Sequence, residues 1–219
     1  MAAVDARTIA ATTHGRYLVN PPATAGPAPL LVGFHGYAEA AEAQLARLRS
    51  IPGSDTWVIA SVQGLHRFYR GRTDEVVAGW MTRQDRDLAI ADNIAYVNAV
   101  VDALAHEFPV NPTLVFAGFS QGVSMTFRAA ASSTRRVAGV MVCGGDVPPE
   151  LDAASLGRVR AALIGRGVLD PFYTSDQLAS DAARLREAAV DLARLEFEGG
   201  HEWSPPFIDA AATFLNRCR

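Results

Sequence analysis

The chain contains no lysine, because all 20 of its basic residues are arginines. This absence excludes reactions that depend on a lysine amine: Schiff-base formation, a serine–lysine dyad and phosphate binding by a P-loop lysine. Cysteine is also scarce, since Cys143 and Cys218 are the only two. We therefore expect neither a disulfide framework nor a metal cluster built on cysteine, and a reducing compartment fits this composition.

Strong charge and long apolar runs are lacking as well. The formal net charge is −3, so no basic surface for nucleic acid or anionic lipid is indicated. No run approaches the roughly 18 apolar residues of a membrane span, and residues 1–17 lack the apolar block of a secretory signal. We expect a soluble, cytoplasmic protein without a membrane span, and the sequence leaves open whether it forms a homo-oligomer.

What the chain does contain is an alternation of short apolar runs with helical segments. Runs that are continuously apolar indicate strands buried on both faces, and their alternation with helices indicates a largely parallel sheet. The predicted strands are Leu30–Phe34, Trp57–Val62, Thr113–Ala117, Val137–Val142, Val159–Ile164 and Leu192–Phe197; the predicted helices are Ala38–Leu48, Asp85–Phe108, Gln121–Ala131, Thr174–Ala189 and Pro205–Leu215; Gln63–Arg83 is predicted as a long loop. The sequence thus predicts an α/β fold in which residues 1–219 form one domain, with a central sheet flanked by helices.

A serine, an acid and a histidine follow three of these strands. Ser120 lies in Gly-Phe-Ser-Gln-Gly after the third run, Asp170 follows the fifth, and His201 follows the last. Because chemistry in parallel sheets gathers outside the carboxyl ends of the strands, we expect these side chains to meet. A serine on a sharp strand-to-helix turn between glycines is typical of a nucleophile. His201 is then the expected base, and Asp170 the group that fixes its tautomer.

An oxyanion that develops beside Ser120 requires backbone N–H donors. Gln121 is expected to supply one donor at the start of its helix, and the N–H of Tyr37, after the first strand, the other. Asp146 also follows a strand and stays an alternative acid, although its Gly-Gly-Asp-Val-Pro-Pro context is typical of a turn. His66, in the long predicted loop, is an alternative base, whereas His35 is expected to shape the oxyanion turn.

Large apolar side chains near the strand-end loops are candidate walls of a substrate pocket, with a place in the core as the alternative for each. They are Tyr37, Trp80, Met81, Phe172 and Trp203. Three arginines of the long predicted loop, Arg67, Arg70 and Arg72, either meet an anionic substrate or form a solvated face, and the second alternative is favoured.

These residues together resemble a known family. The chain is similar to the small phospholipase/carboxylesterase family of the α/β-hydrolase fold, which includes acyl-protein thioesterases and bacterial carboxylesterases. The matching pieces span nearly the whole chain: Phe34-His35-Gly36, Gln63 to Trp80, Gly118-Phe119-Ser120-Gln121-Gly122, Gly144-Gly145 to Pro148, Gly167-x-x-Asp170 and Gly200-His201-Glu202. The resemblance implies a hydrolase of carboxylic esters or thioesters, without a cofactor or a large cap domain. It also implies the triad Ser120, Asp170 and His201, with Tyr37 and Gln121 as oxyanion donors.

The chain departs from the family pattern at three places. Tyr37-Ala38-Glu39-Ala40 stands where the family often has Gly-x-Gly-Asp character, Arg166-Gly167 stands where it commonly has His-Gly, and Gly122 is followed by Val123 instead of a second glycine. These departures bear on the substrate more than on the chemistry. Small or medium acyl esters are the expected substrates, with thioesters and dienelactone-type substrates as alternatives. The alternative to an enzyme is a catalytically silent binding module.

Overall fold

The computed structural model describes residues 4–219, in which nine strands and six α-helices are formed. The strands are β1 (Arg16–Asn20), β2 (Ala28–Phe34), β3 (Val58–Gln63), β4 (His66–Tyr69), β5 (Val76–Gly79), β6 (Val110–Phe119), β7 (Gly139–Cys143), β8 (Ala161–Gly167) and β9 (Asp191–Phe197). The helices are α1 (Ala41–Arg49), α2 (Arg86–Glu107), α3 (Gln121–Ser132), α4 (Ala153–Leu156), α5 (Ser175–Glu187) and α6 (Pro205–Cys218).

Seven strands form one sheet in the order β1-β3-β2-β6-β7-β8-β9. All neighbours run parallel except β1, which pairs antiparallel with β3. This confirms the predicted mostly parallel sheet, and residues 4–219 contain no large cap domain. The carboxyl ends of β2, β6, β7, β8 and β9 therefore lie along one edge of the sheet, where the predicted site residues follow them.

The core lies on both faces of this sheet, because the buried strands alternate their side chains between the faces. In β2, Leu30 and Val32 face a cluster that includes Val97 of α2, whereas Leu31 faces a second cluster that includes Phe207 of α6. The helices thus cover the sheet from both sides, as continuous apolar strands require. The prediction that residues 1–219 form a single domain stays a prediction.

The segment predicted as a long loop, Gln63–Arg83, contains a β-hairpin instead. Strands β4 and β5 pair antiparallel outside the main sheet, with Gly71 at a φ of 56° in the connection. Backbone hydrogen bonds link the hairpin to the loop after β2: Ala38 N donates to Ala78 O at 3.0 Å, and Ala78 N donates to Glu39 O at 2.8 Å. The hairpin therefore borders the carboxyl edge of the sheet.

Helix α2 has 22 residues and is apolar enough, by length and composition, to cross a membrane. This differs from the expectation that no run approaches the length of a span. In the structure its residues Val97, Val101 and Leu104 belong to the core cluster under the sheet, and the core helix of a globular protein passes the same test. A cytoplasmic location stays a prediction.

Candidate active site

Ser120 lies on the turn that joins β6 to α3, with φ 53° and ψ −123°. A non-glycine residue with positive φ is strained, and such strain is typical of functional turns. The turn is held because Ser120 N donates to Cys143 O at 3.0 Å. Both flanking glycines are required: a Cβ on Gly118 would lie 2.4 Å from Gly122 O, and one on Gly122 would lie 2.1 Å from Phe34 O.

His201 and Asp170 are brought together by the loops after β9 and β8. His201 Nδ1 lies 2.8 Å from Asp170 Oδ2. The other carboxylate oxygen, Oδ1, accepts the N–H groups of Phe172 at 2.8 Å and Tyr173 at 3.1 Å. The Asp170 side chain is only 1% exposed, so both its oxygens are fixed by protein donors. With Nδ1–H donating to the carboxylate, Nε2 of His201 is the free acceptor that a general base requires.

Two adjacent glycines after β7 pack closely against His201 and the Ser120 turn. A Cβ on Gly144 would lie 3.0 Å from His201 Cε1, and one on Gly145 would lie 2.5 Å from Ser120 O. The imidazole ring and the serine turn therefore pack against the same short stretch of backbone, where no side chain fits. His201 is hydrogen-bonded to Asp170 and makes no hydrogen bond to Ser120 among the described residues; in unliganded enzymes this second contact often forms only with substrate.

The alternative acid and base of the sequence analysis occupy other positions. Asp146 is exposed in the turn after Gly145, whereas the partner of His201 is Asp170. His66 lies on β4, and His35 is fully buried after β2. Asp170 and His201, rather than Asp146 and His66, are therefore the carboxylate and the histidine that the structure brings together.

His35 orients the peptide that carries the candidate oxyanion donor. Its Nε2 accepts the N–H of Gly64 at 3.0 Å, so Nδ1 carries the proton and donates to Gly36 O at 2.7 Å. Burial lowers the pKa of His35, which favours this neutral form. In a trans peptide the N–H points opposite to the carbonyl, so the N–H of Tyr37 points away from His35. A Cβ on Gly36 would lie 3.2 Å from Ser120 Cβ, which places this peptide beside the serine.

Gln121 is the first residue of α3, directly after Ser120. Its N–H is one of the first four of the helix, which lack intrahelical acceptors and carry the positive end of the helix dipole. The side chain has a separate role, because its Oε1 accepts the N–H of Trp80 at 2.9 Å. Gln121 therefore links the start of α3 to the end of the hairpin.

The five candidate wall residues have different environments. The prediction that Trp80 forms a pocket wall is corrected by the structure. Trp80 is 1% exposed, its Nε1 donates to His35 O at 2.8 Å, and its ring packs edge-on against Phe34, so it belongs to the core. Met81 is half-buried, with its sulfur 3.5 Å from a guanidinium nitrogen of Arg128.

The other three wall candidates lie nearer the surface. Phe172 is 72% exposed, and its ring meets His201 edge-to-face with ring centroids 4.9 Å apart. Tyr37 is 60% exposed and packs on Phe68 of the hairpin. Trp203 is half-buried against Phe207 of α6. Phe172 and Tyr37 are therefore the two wall candidates that lie open beside the candidate triad.

Arg166 is a departure from the family pattern, which commonly has histidine there, and the sequence alone indicated no role for it. Its guanidinium is buried and donates to Tyr173 O at 2.8 Å, Val168 O at 3.0 Å and Glu196 Oε2 at 2.8 Å. These bonds span the loop that carries Asp170, so Arg166 holds that loop in shape. The sequence feature that could have indicated this role is the position of Arg166 at the end of a buried strand, because a charge there needs fixed partners.

A cavity of about 240 Å³ lies away from these residues, lined by Leu30, Val110 and Leu114 at the amino ends of β2 and β6. Ser120 follows the carboxyl end of β6, so this cavity is at the opposite edge of the sheet. A cavity of about 340 Å³ along the hairpin, lined by Arg67, Phe68, Tyr69 and Val76, is nearer the candidate site. Within residues 4–219, no group of three His, Cys, Asp or Glu side chains is placed to hold a metal ion.

Solved structures share this architecture over nearly the whole chain. A carboxylesterase from Bacillus cereus superposes with a TM-score of 0.74 at 14% identity, covering 94% of this chain and 95% of the other. Acyl-protein thioesterase 2 from Zea mays gives 0.74 at 14% identity, with coverages of 94% and 99%. TT1662 from Thermus thermophilus gives 0.69 at 20% identity, covering 92% of each chain. At these identities the likeness establishes the fold.

The protein is an α/β-hydrolase of the serine hydrolase class. The sequence model of the phospholipase/carboxylesterase family matches residues 76–219, which is about two thirds of the chain, so the chain belongs to that family. No curated protein sequence matches it. The matched region includes Ser120, Asp170 and His201, whereas β2 and the loop after it lie outside the match.

Proposed function

We propose that this protein hydrolyses small or medium acyl carboxylic esters through a covalent acyl-enzyme, with Ser120 as nucleophile, His201 as base and Asp170 as the group that orients it. The observation that carries the proposal is the 2.8 Å bond from His201 Nδ1 to the buried Asp170 carboxylate, next to the strained turn at Ser120. Protein donors on both Asp170 oxygens hold the carboxylate in place and leave His201 Nε2 to accept the serine proton.

The reaction proceeds in two halves. Ser120 Oγ attacks the ester carbonyl carbon while its proton passes to His201 Nε2, and the carbonyl oxygen becomes an oxyanion that accepts the N–H groups of Tyr37 and Gln121. His201 then gives the proton to the leaving alcohol as the ester bond breaks. Water attacks the acyl-enzyme in the same way, its proton going to His201 and then to Ser120, which releases the acid.

The surface around the serine supports an apolar substrate. Among residues 4–219, nine large apolar side chains are exposed, and six of them lie on the three segments that border the site, which are the loop after β2, the hairpin and the loop of Asp170: Tyr37, Tyr69, Val76, Val168, Leu169 and Phe172. Leu169 and Phe172 come from the loop of Asp170, and Tyr69 and Val76 from the hairpin. Burying such side chains against an acyl or alkyl chain is favourable by about 25 cal/mol per Å².

Hydrolysis of p-nitrophenyl acetate, butyrate and octanoate by the purified protein tests the proposal. We expect turnover that Ser120→Ala abolishes without lowering the melting temperature by more than a few degrees, while Ser132→Ala, at the exposed end of α3, keeps full activity. Unchanged turnover in Ser120→Ala contradicts the proposal. Failure of a fluorophosphonate probe to label Ser120 favours the silent binding module instead.

An acyl-thioester series in the same experiment distinguishes the second candidate function. A thioester preference would fit the acyl-protein thioesterase from maize, whose fold this chain shares. We expect oxygen esters to be turned over, since the same triad and oxyanion donors act on both bonds. A kcat/KM that is higher for thioesters than for the matched oxygen esters would assign the thioesterase activity.

A further inference from the structure

We propose that Glu39 and Arg47 form an ion pair that positions the catalytic apparatus, with Glu39 holding the oxyanion loop and Arg47 supporting the ring of His201 through Phe119. The proposal rests on the proposed function and adds two positioning residues to it. Neither residue follows from the serine, acid and histidine pattern of the sequence.

Glu39 closes the oxyanion loop on itself. Its Oε2 accepts the N–H of Gly36 at 2.8 Å, and Gly36 O accepts both His35 Nδ1 at 2.7 Å and Glu39 N at 3.4 Å. Both polar groups of Gly36 therefore have protein partners. The next donor along the chain, the N–H of Tyr37, is left without an acceptor among the described residues, as an oxyanion donor must be.

Arg47 fixes the Glu39 carboxylate from the last turn of α1. Its two terminal nitrogens reach the two carboxylate oxygens at 2.6 Å each, which is the bidentate geometry that gives arginine pairs their strength. About a fifth of each side chain is exposed, so solvent screens the pair only in part. Burial tends to raise the pKa of Glu39, but the bonds and charge of Arg47 and the N–H of Gly36 lower it overall, so the carboxylate is ionised.

The same guanidinium lies over an aromatic ring that contacts the candidate base. Arg47 Cζ is 4.2 Å from the ring centroid of Phe119, and the Phe119 ring is 4.8 Å from that of His201. His201 also meets Phe172 edge-to-face. The imidazole thus contacts two aromatic rings, and Arg47 supports the buried one, Phe119, by a cation–π contact.

The pair consequently links two parts of the site that the chain supplies separately, the loop after β2 and the histidine after β9. Glu39 Oε2 accepts both Gly36 N–H and one Arg47 nitrogen, whereas Oε1 accepts the other Arg47 nitrogen. A glutamine at position 39 can keep its oxygen at the first place, but its NH₂ group then faces the second Arg47 nitrogen, so the bidentate pair and the charge are lost. A lysine at position 47 retains the charge but loses the two-pronged contact and the flat face that covers Phe119. A misplacement of about 1 Å is sufficient to slow catalysis on the order of 100-fold.

The test compares Glu39→Gln, Arg47→Met and Arg47→Lys with Glu42→Gln, the matched control. Glu42 is also on α1 and pairs with Arg16 at 2.5 Å, but both side chains are exposed and away from the oxyanion loop. For Glu39→Gln and Arg47→Met we expect kcat to fall on the order of 10- to 100-fold with KM within threefold, because positioning acts on the transition state. Arg47→Lys should lie between Arg47→Met and the wild type, and Glu42→Gln should match the wild type.

A second readout separates positioning from a general loss of stability. Inhibition by an alkyl boronic acid, which forms a tetrahedral adduct with the serine, should weaken in parallel with kcat, and the double variant should lose less than the product of the single losses. A fall in melting temperature with unchanged kcat and boronate affinity overturns the proposal. Equal losses in kcat for Glu42→Gln also overturn it.

Amide hydrogen exchange at Gly36 tests the loop contact without reference to catalysis. We expect its exchange in the wild type to be slow, and to accelerate at least about 10-fold in Glu39→Gln, because a neutral amide oxygen that has lost one of the two Arg47 contacts is a weaker acceptor than the carboxylate. If the wild type hydrolyses no ester and takes up no fluorophosphonate, the proposed function fails, and exchange still decides whether Glu39 holds the loop. Unchanged exchange at Gly36 in Glu39→Gln overturns the positioning role.

Discussion

Asp170→Asn should remove activity while largely preserving the fold, because of the way the carboxylate is held. Oδ1 accepts the N–H groups of Phe172 and Tyr173, and Oδ2 faces His201 Nδ1. An asparagine must keep its oxygen toward the two backbone donors. The opposite orientation leaves two largely buried N–H groups unpaired, at about 1–3 kcal/mol each, or roughly 2–6 kcal/mol together.

The amide nitrogen of the variant then points at His201 Nδ1. The imidazole then carries its proton on Nε2, so that Nδ1 accepts a hydrogen bond from the amide nitrogen. Because this hydrogen bond is retained, we expect the stability to change little. The serine-facing nitrogen now carries a proton and cannot act as a base. In the triad of another hydrolase fold, this change of tautomer lowers kcat about 10⁴-fold, and we expect a similar loss here.

The assay is kcat/KM for p-nitrophenyl butyrate, with the urea midpoint measured in parallel. Asp146→Asn is the matched control, since Asp146 is the alternative acid of the sequence analysis and is exposed. We expect Asp146→Asn to stay within about twofold of the wild type, as surface substitutions usually do. Activity of Asp170→Asn within tenfold of the wild type, or an equal loss in Asp146→Asn, contradicts the assignment of the acid.

Three further predictions concern the backbone around the site. Gly144→Ala places a methyl group 3.0 Å from His201 Cε1, at a residue with a φ of 73°, so we expect kcat to fall at least tenfold and the free energy of unfolding in urea to fall by about 1–2 kcal/mol. Wild-type values of both would show that the imidazole ring has room for the methyl group. Ala38→Gly relieves a φ of 57° and should raise the urea stability by up to about 1 kcal/mol, whereas a loss would show that this residue is not strained. Because burial lowers the pKa of His35, its neutral form contributes stability above about pH 6.5 that is lost as the pH falls through its folded pKa. Between pH 7.5 and 5 the urea midpoint of His35→Gln should therefore drop less than that of the wild type, and an equal drop in the two proteins would contradict this.

The sheet could be predicted from the sequence because its strands are buried on both faces. All six predicted strands lie within three residues of the observed strands β2, β3, β6, β7, β8 and β9, and their carboxyl ends were enough to predict Ser120 and Asp170 on one edge. A continuous apolar run between helical segments is a strong signal, because a strand of a parallel sheet is covered on both faces. The order of the strands and the contact between His201 and Asp170 required the structure.

The hairpin and Trp80 could not be predicted because tertiary contacts determine them. Strands β4 and β5 have four residues each, too few for a clear alternation, and the loop after β2 stabilises them through Ala78. Trp80 has an amphipathic ring that suits a pocket wall or a core equally well. Its burial follows from one distant acceptor, the carbonyl of His35, 45 residues away.

The left-handed conformation of Ala38, with φ 57°, can be understood from the contacts that hold its loop. An alanine in the left-handed region costs about 1–2 kcal/mol relative to an extended residue. Glu39 and His35 fix both polar groups of Gly36, and Ala38 N is paired with Ala78 O. With about 1 kcal/mol for each neutral bond and about 1.5–3 kcal/mol for the charged one, these contacts outweigh the strain. The loop can therefore hold a non-glycine residue at position 38, provided that Glu39 stays ionised, and this requirement accounts for the bidentate partner at Arg47.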